Sequence, residues 1–124
     1  MKIEYIYEYI TLCKNLNFTA TANKLYLSQP VLSRHITAIE EEMGIKLLNR
    51  NTQSVTLTPA GKLVLKEFSD IVSRYEVLKH SAALLSEGFT DNLSIGMLYY
   101  AVNEYLTPVI QRFKTSFPKI MLSF

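Results

Sequence analysis

The chain has 124 residues with a formal net charge of +2, and 48% of its residues are hydrophobic. That length suits one modest domain or a small domain with part of another, and the apolar content can bury a core without covalent cross-links. The single cysteine, Cys13, excludes an intrachain disulfide and indicates a reducing compartment. No apolar run approaches the roughly 20 residues of a membrane span, and the N-terminus lacks a signal-peptide layout, so we expect a soluble, cytoplasmic protein with no membrane partner.

The sequence contains few residues suited to catalysis or metal binding. There are two histidines and one cysteine, and no glycine-rich phosphate-binding loop is present. Without a nucleophile and base or a set of ligands, we predict that the protein is not an enzyme and uses neither a metal nor a cofactor. A net charge this small is weak evidence for an anionic partner, so an argument for nucleic acid must rest on where the charges lie.

The first part of the chain predicts two helices. The first covers 1–16, where a wide apolar arc leaves one polar stripe, formed by Glu4, Glu8, Thr11 and Asn15. So wide an arc suggests contacts with both the domain core and a second partner. A short helix follows at 20–25, with Thr19 as its N-cap and with Ala22 and Leu25 facing inward.

The third predicted helix runs from Ser28 to Met43. Ser28 is a suitable N-cap, and Pro30 in the first turn lacks only an amide that would be unpaired there. Gly44 provides a left-handed stop. The inward stripe consists of Leu32, Ile36, Ile39 and Met43. Because a tight connection at 26–27 joins this helix to the short one before it, the pair forms a helix-turn-helix.

The outward face of this third helix carries side chains that can reach phosphates or base edges without bulky apolar obstruction: Gln29, Pro30, Ser33, Arg34 and Thr37. Arginine pairs bidentately with guanine, glutamine with adenine, and serine or threonine with a phosphate or either base. The unpaired amides of the helix N-terminus also favour phosphate. A merely solvated face is the alternative, but the elements on both sides of this helix agree with DNA binding.

Residues 46–57 predict a small β-hairpin, because a turn-forming segment at 51–54 separates two short stretches, the second with alternating apolar residues. A helix then begins with Thr58 as N-cap and Pro59 at the first position, and it runs to about Ser86. Its apolar residues are spaced four and three apart in turn, as in a coiled coil, at Val64, Phe68, Ile71, Tyr75, Leu78, Ala82 and Leu85. We predict that this seam pairs two chains.

The C-terminal part predicts a hinge at 88–92 and then a strand at 93–98, a helix at 103–116 and a strand at 119–124. One βαβ unit cannot cover both faces of a parallel sheet, so this part is interpreted as the start of an incomplete α/β domain. Tyr99 and Tyr100 follow the first strand, where small ligands often bind in open α/β sheets. With half of the sheet absent, we do not expect a working pocket there.

The segment from Phe18 to Arg34, FTATANKLYLSQPVLSR, resembles the signature of LysR-type transcriptional regulators. The resemblance continues with IEEEMGIKLLNR at 39–50 and VTLTPAG at 55–61. Along the long helix that follows, the similarity is looser. Residues 93–96 and 106–113 look like the opening of the family's effector-binding domain.

The resemblance implies a dimeric regulator that binds partly palindromic duplex DNA, with the third helix in the major groove and the hairpin as a wing. In the family, a small molecule bound by the C-terminal domain shifts the DNA contacts. The resemblance implies the same control here only if the complete C-terminal domain exists. The predicted DNA contacts are Thr19, Ser28, Gln29, Pro30, Ser33, Arg34, Thr37, Gln53 and Arg50, the last of which falls on the family's first wing-region arginine. The predicted dimer contacts are Val64, Phe68, Ile71, Tyr75, Leu78 and Leu85.

The sequence departs from the family pattern at three places. Leu48 replaces a usual phenylalanine, which is a packing change. Gln53 stands where a second basic wing residue is common, which weakens the case for a minor-groove anchor. Thr21 replaces the first alanine of a pair, and we expect its hydroxyl to bond to a backbone carbonyl. His35, beside the outward face, is interpreted as a flanking surface residue or a backbone contact.

We therefore predict a mainly α-helical protein with a winged helix-turn-helix at 1–58, a dimerisation helix at 59–87, a hinge at 88–92 and an incomplete effector-binding βαβ fragment at 93–124. The predicted function is sequence-specific regulation of transcription by a homodimer or a higher homo-oligomer. The alternative is a protein-interaction module that pairs with a longer regulator and modulates it. Such a module would have no use for an outward face carrying Arg34.

Overall fold

The computed structural model describes residues 1–96 and 106–123. The chain divides into two compact units, Met1–Arg74 and Tyr75–Phe124. Within the described ranges, no helix combines the length and the apolar character that crossing a bilayer requires.

The first unit is a winged helix-turn-helix, as predicted from the sequence. Its helices and strands follow in the order α1 (Ile3–Cys13), α2 (Phe18–Lys24), α3 (Gln29–Met43), β1 (Leu48–Arg50), β2 (Val55–Leu57) and α4 (Pro59–Ser86), the last of which continues into the second unit. The strands β1 and β2 pair antiparallel, with Leu48 opposite Leu57 and Arg50 opposite Val55. This hairpin and its turn at 51–54 form the wing.

Local caps fix where α3 begins and ends and where α4 begins. The Ser28 hydroxyl accepts a hydrogen bond from the Val31 amide at 3.3 Å, and Gly44 ends α3 with a φ of 70°. The Thr58 hydroxyl accepts from the Gly61 amide at 3.0 Å at the start of α4. These predictions are confirmed, because each cap residue is of the type that supplies the missing bond or the left-handed turn.

The start of α2 differs from the prediction. The helix begins at Phe18, and the side chain of Asn17 accepts a hydrogen bond from the Ala20 amide at 2.9 Å. Asn17 is therefore the N-cap, and Thr19 lies exposed within the first turn. Both asparagine and threonine can cap a helix, and the earlier residue has the extended backbone that a cap needs.

The core of the first unit joins all four helices with the wing. Its fully buried side chains, from α1, α3 and the segment entering the wing, include Tyr9, Leu12, Leu32, Ile36, Ile39, Leu47 and Leu48. The predicted inward stripe of α3 is thus correct except for Met43, which lies in the last turn and is 36% exposed.

Two residues of the predicted dimer seam belong to this core. Val64 and Phe68, in the first turns of α4, are buried within the chain. The Phe68 ring packs edge-on against Tyr9, with 5.7 Å between the ring centroids. The assignment of these two side chains to a second chain was wrong, because the apolar spacing of a helix is the same whether its partner is intramolecular or not.

Thr21 also differs from its predicted bonding. Its buried hydroxyl donates to the side-chain oxygen of Asn15 at 3.0 Å rather than to a backbone carbonyl. The same oxygen accepts from the amide of Asn17. Thr21 therefore fastens α2 to the turn that precedes it.

The second unit contains the predicted parallel βαβ arrangement. Strand β3 (Asp91–Ser94) pairs parallel with β4 (Ile120–Ser123), and α5 (Thr107–Ser116) lies between them in sequence. Strand β3 begins inside the predicted hinge, because Asp91 already pairs with Ile120. The predicted strand end at 97–98, Tyr99 and Tyr100, the helix start at 103–105 and the final residue at 124 lie outside the described residues.

Candidate nucleic-acid interface

The outward face of α3 collects most of the predicted DNA-contact residues on one surface. Gln29, Pro30, Arg34 and Thr37 are exposed, and Ser33 is half-buried beside them. The opposite face of the same helix is fully buried through Leu32, Ile36 and Ile39. The helix therefore presents a polar side on which Arg34 is the charged residue among these five, and the exposed Glu41 follows one turn after Thr37.

The guanidinium group of Arg50, on the wing, is bound to side chains of the same unit. It donates to the Ser33 hydroxyl and to the Glu40 carboxylate, both at 2.9 Å. It also lies over the ring of Phe18, 4.8 Å from the ring centroid. Arg50 thus links the wing with α3 and α2, and the Arg50–Glu40 pair braces the wing against α3.

The sequence analysis did not predict this brace, because Glu40 is the first of three consecutive glutamates at the end of α3 and the run alone does not distinguish it from Glu41 and Glu42. The Glu40 side chain is only 10% exposed, whereas Glu41 and Glu42 are exposed. The usable signal was position: Glu40 lies four residues after Ile36 and directly after Ile39, on the inner side of the helix. A buried carboxylate needs a cationic or hydrogen-bonding partner.

Ser33 is oriented by the same contact. Its oxygen accepts a hydrogen bond from Arg50, which leaves the hydroxyl hydrogen and one lone pair for an incoming partner. A donor in this place matches an acceptor on DNA, such as a phosphate oxygen or the N7 and O6 atoms of guanine.

His35 ties α3 to α1. Its Nδ1 atom lies 2.7 Å from a carboxylate oxygen of Glu8, and its ring stacks on Tyr5 with 4.1 Å between the centroids. Glu8 belongs to the polar stripe predicted for α1, yet it is 8% exposed and its carboxylate faces His35. His35 therefore acts on the outward face indirectly, by holding the helix that carries Arg34.

The wing tip is fixed by one asparagine. The side-chain oxygen of Asn51 accepts hydrogen bonds from the amides of Gln53 at 2.8 Å and Ser54 at 2.6 Å. The backbone closes the turn with a bond from the Asn51 amide to the Ser54 carbonyl at 3.1 Å. Gln53 is exposed at this ordered tip, where the sequence placed it.

Beyond the core, α4 exposes large apolar side chains. Ile71 is 46% exposed, and Leu78 and Leu85 are each 62% exposed. Tyr75 is half-buried, and the Lys79 ammonium group lies 5.0 Å from its ring centroid. These four predicted seam residues therefore remain open to a partner, unlike Val64 and Phe68.

Comparisons with known proteins agree on one family. The family described as "Bacterial regulatory helix-turn-helix protein, lysR family" matches residues 6–62. The hydrogen peroxide-inducible genes activator of Dickeya chrysanthemi is 32% identical over 119 residues, which cover 95% of this chain and 38% of that protein. The chain thus spans about two fifths of the curated relatives that it matches.

Two solved structures have a similar fold. The BenM_DBD chain of a complex with catB site 1 DNA has a TM-score of 0.67 and 30% identity, covering 71% of this chain and 98% of that chain. Full-length CbnR, crystallised in complex with its target DNA, has a TM-score of 0.72 and 25% identity, covering 99% of this chain and 43% of that chain.

Proposed function

The chain belongs to the LysR family of bacterial regulatory helix-turn-helix proteins, and we propose that it regulates transcription by binding duplex DNA sequence-specifically. The observation that carries this proposal is the polar outward face of α3, with Arg34 exposed at its centre and a fully buried apolar face behind it. A helix of this kind, held in a helix-turn-helix, fits the major groove. The similarity to two proteins solved with DNA favours this function over a protein-interaction module.

Each contact residue has a role set by its chemistry. Arg34 pairs bidentately with a guanine, and Gln29 with an adenine. Ser33 donates to an acceptor on the DNA, and Thr37 lies one turn farther along the groove. The remaining proposed contacts are Pro30 against the groove wall and Thr19, Ser28 and the N-terminal amides of α3 near phosphates.

The wing contributes through Gln53 at its tip, which reaches the minor groove or the adjacent backbone. Arg50 has a positioning role, because its guanidinium group holds the wing against α3 through Ser33 and Glu40.

Two copies of the chain pair through α4, using the exposed side chains of Ile71, Tyr75, Leu78 and Leu85. The dimer places two recognition helices on two half-sites. Regulation of transcription places the protein in the cytoplasm. A small-molecule effector takes part only where a complete C-terminal domain exists. The proposed function includes no catalytic activity.

Selection of binding sites from random duplex DNA by the purified protein tests the proposal. The expected result is an enriched sequence made of two half-sites, bound more tightly than an unrelated duplex at the same salt concentration. Equal affinity for selected and unrelated duplexes would overturn it. In that case a shift of the chain into mixed dimers with a longer family member would support the interaction module.

A further inference from the structure

Tyr26, in the turn between α2 and α3, has an unusual backbone and an unusual exposure. Its φ is 56°, in the left-handed region that L side chains rarely adopt. Its side chain is 96% exposed, so the ring contributes almost nothing to the packing of the domain. An aromatic residue in such a place has no explanation in the fold itself.

The hydrogen bonds around Tyr26 show which residue this turn favours. The Leu27 amide donates to the Ala22 carbonyl at 2.9 Å, and the Tyr26 amide donates to the Asn23 carbonyl at 3.2 Å. This pair of bonds is a Schellman motif, in which the left-handed position after the helix is usually a glycine. The fold therefore favours glycine at position 26, because a side chain strains the left-handed backbone.

The place of Tyr26 in the chain indicates what its side chain meets. It lies two residues before Ser28, the N-cap of α3, and three before Gln29, where the outward face begins. In the proposed DNA complex, this end of the helix-turn-helix lies against the sugar–phosphate backbone at the edge of the major groove. Tyrosine hydroxyls are among the usual donors to phosphate oxygens in protein–DNA complexes.

We propose that Tyr26 is a DNA-backbone contact, whose hydroxyl donates a hydrogen bond to a phosphate oxygen beside the major groove entered by α3. This inference rests on the proposed function and extends the interface from the helix into the turn before it. Because the hydroxyl is neutral, it strengthens binding without releasing a counterion. Because the hydroxyl contacts a phosphate, it strengthens binding to every DNA sequence.

The test compares Tyr26→Phe and Tyr26→Gly with the parent chain. Affinity is measured by fluorescence anisotropy on a duplex selected by the parent and on an unrelated duplex, each over a range of salt concentrations. Thermal unfolding and light scattering are recorded for all three proteins. The phenylalanine variant removes only the hydroxyl, and the glycine variant also removes the ring while relieving the left-handed backbone.

We expect Tyr26→Phe to weaken binding about threefold to tenfold on both duplexes, as for the loss of one hydrogen bond, with an unchanged salt dependence. Tyr26→Gly should weaken binding at least as much while raising the unfolding temperature. A variant that gains thermal stability while it loses DNA affinity indicates a side chain that serves a partner and not the fold.

Parent-like affinity of both variants on both duplexes would overturn the inference and leave the proposed function intact. A loss confined to the selected duplex would overturn the phosphate contact, since it would indicate base reading. A change in oligomeric state at unchanged DNA affinity would assign Tyr26 to a contact between copies instead. If the parent binds no duplex at all, the proposed function fails first and this inference fails with it.

Discussion

Arg50 on the wing and Glu40 on the recognition helix α3 form an ion pair with 2.9 Å between nitrogen and oxygen. Their side chains are 29% and 10% exposed, so the carboxylate is largely removed from water. The same guanidinium group binds Ser33, on the outward face. The angle of the wing and the orientation of the Ser33 hydroxyl therefore depend on one side chain.

Arg50→Ala should destabilise the domain by about 2 kcal/mol, because it leaves the Glu40 carboxylate buried without its partner. Urea unfolding measures the loss, and the double variant Arg50→Ala with Glu40→Gln should recover part of it. Arg34→Ala serves as the control, since Arg34 is exposed. Unchanged stability of Arg50→Ala, together with a shallower salt dependence of DNA binding, would instead place Arg50 at a phosphate.

Arg34→Ala should weaken binding to a selected site by about 1–3 kcal/mol and relax the base preference at one position of each half-site. Titration of the selected duplex and repeated site selection measure the two effects. Arg112→Ala is the matched control, because it removes the same charge from an exposed position on α5. Equal affinities of the parent and Arg34→Ala would exclude Arg34 as a base contact.

Gln53→Arg should tighten DNA binding and steepen the plot of log affinity against log salt concentration by about one unit for each arm of the dimer. The ordered wing tip already carries residue 53, and the new charge would favour narrow, A·T-rich minor grooves. Gln111→Arg adds the same charge to an exposed position on α5 and controls for non-specific attraction. Identical slopes for Gln53→Arg and the parent would show that the wing tip does not approach DNA.

Leu78→Glu should convert the dimer to a folded monomer, whereas Phe68→Glu should unfold the domain. Leu78 is 62% exposed and open to a partner, but Phe68 is 4% exposed and packs on Tyr9. A glutamate in the core costs several kcal/mol unless it is protonated or paired. Light scattering and circular dichroism separate the two results. A Leu78→Glu protein that stays dimeric at tens of micromolar would move the pairing surface away from this face of α4.

Cys13 should react slowly with alkylating reagents at neutral pH. Burial raises the pKa of its thiol to about 11. The reactive thiolate is therefore scarce below that pH and becomes common only as the pH rises through it. Iodoacetamide labelling followed by mass spectrometry, from pH 7 to pH 10, measures the trend. Rapid labelling of the folded protein at pH 7 would contradict it.

Most of the fold could be predicted because its signals are local. Ser28, Gly44 and Thr58 each end or begin a helix through bonds within a few residues. The apolar periods of α1 and α3 point to their buried faces without any knowledge of the partner. The outward face of α3 follows from the same period, so its polar residues were found correctly.

The pairs that set the geometry of the interface could not be predicted in this way. Glu8 and His35 are 27 residues apart in sequence, and Arg50 and Glu40 are ten apart. A periodic pattern shows that a side chain faces inward but not which side chain it meets. For the same reason the spacing of α4 did not distinguish Phe68, which packs within the chain, from Leu78, which does not.

The hydroxyl of Tyr9 donates to the carbonyl of Gly61 at 2.7 Å, across 52 residues of sequence. A β-carbon at position 61 would overlap the carbonyl of Leu47, so the backbones meet there without room for a side chain. During synthesis, α1 leaves the ribosome long before α4 supplies Gly61 and Phe68 to cover Tyr9. We therefore expect the first unit to complete its core only when the first turns of α4 have been synthesised, and a chain cut at Thr58 to leave Tyr9 exposed to water.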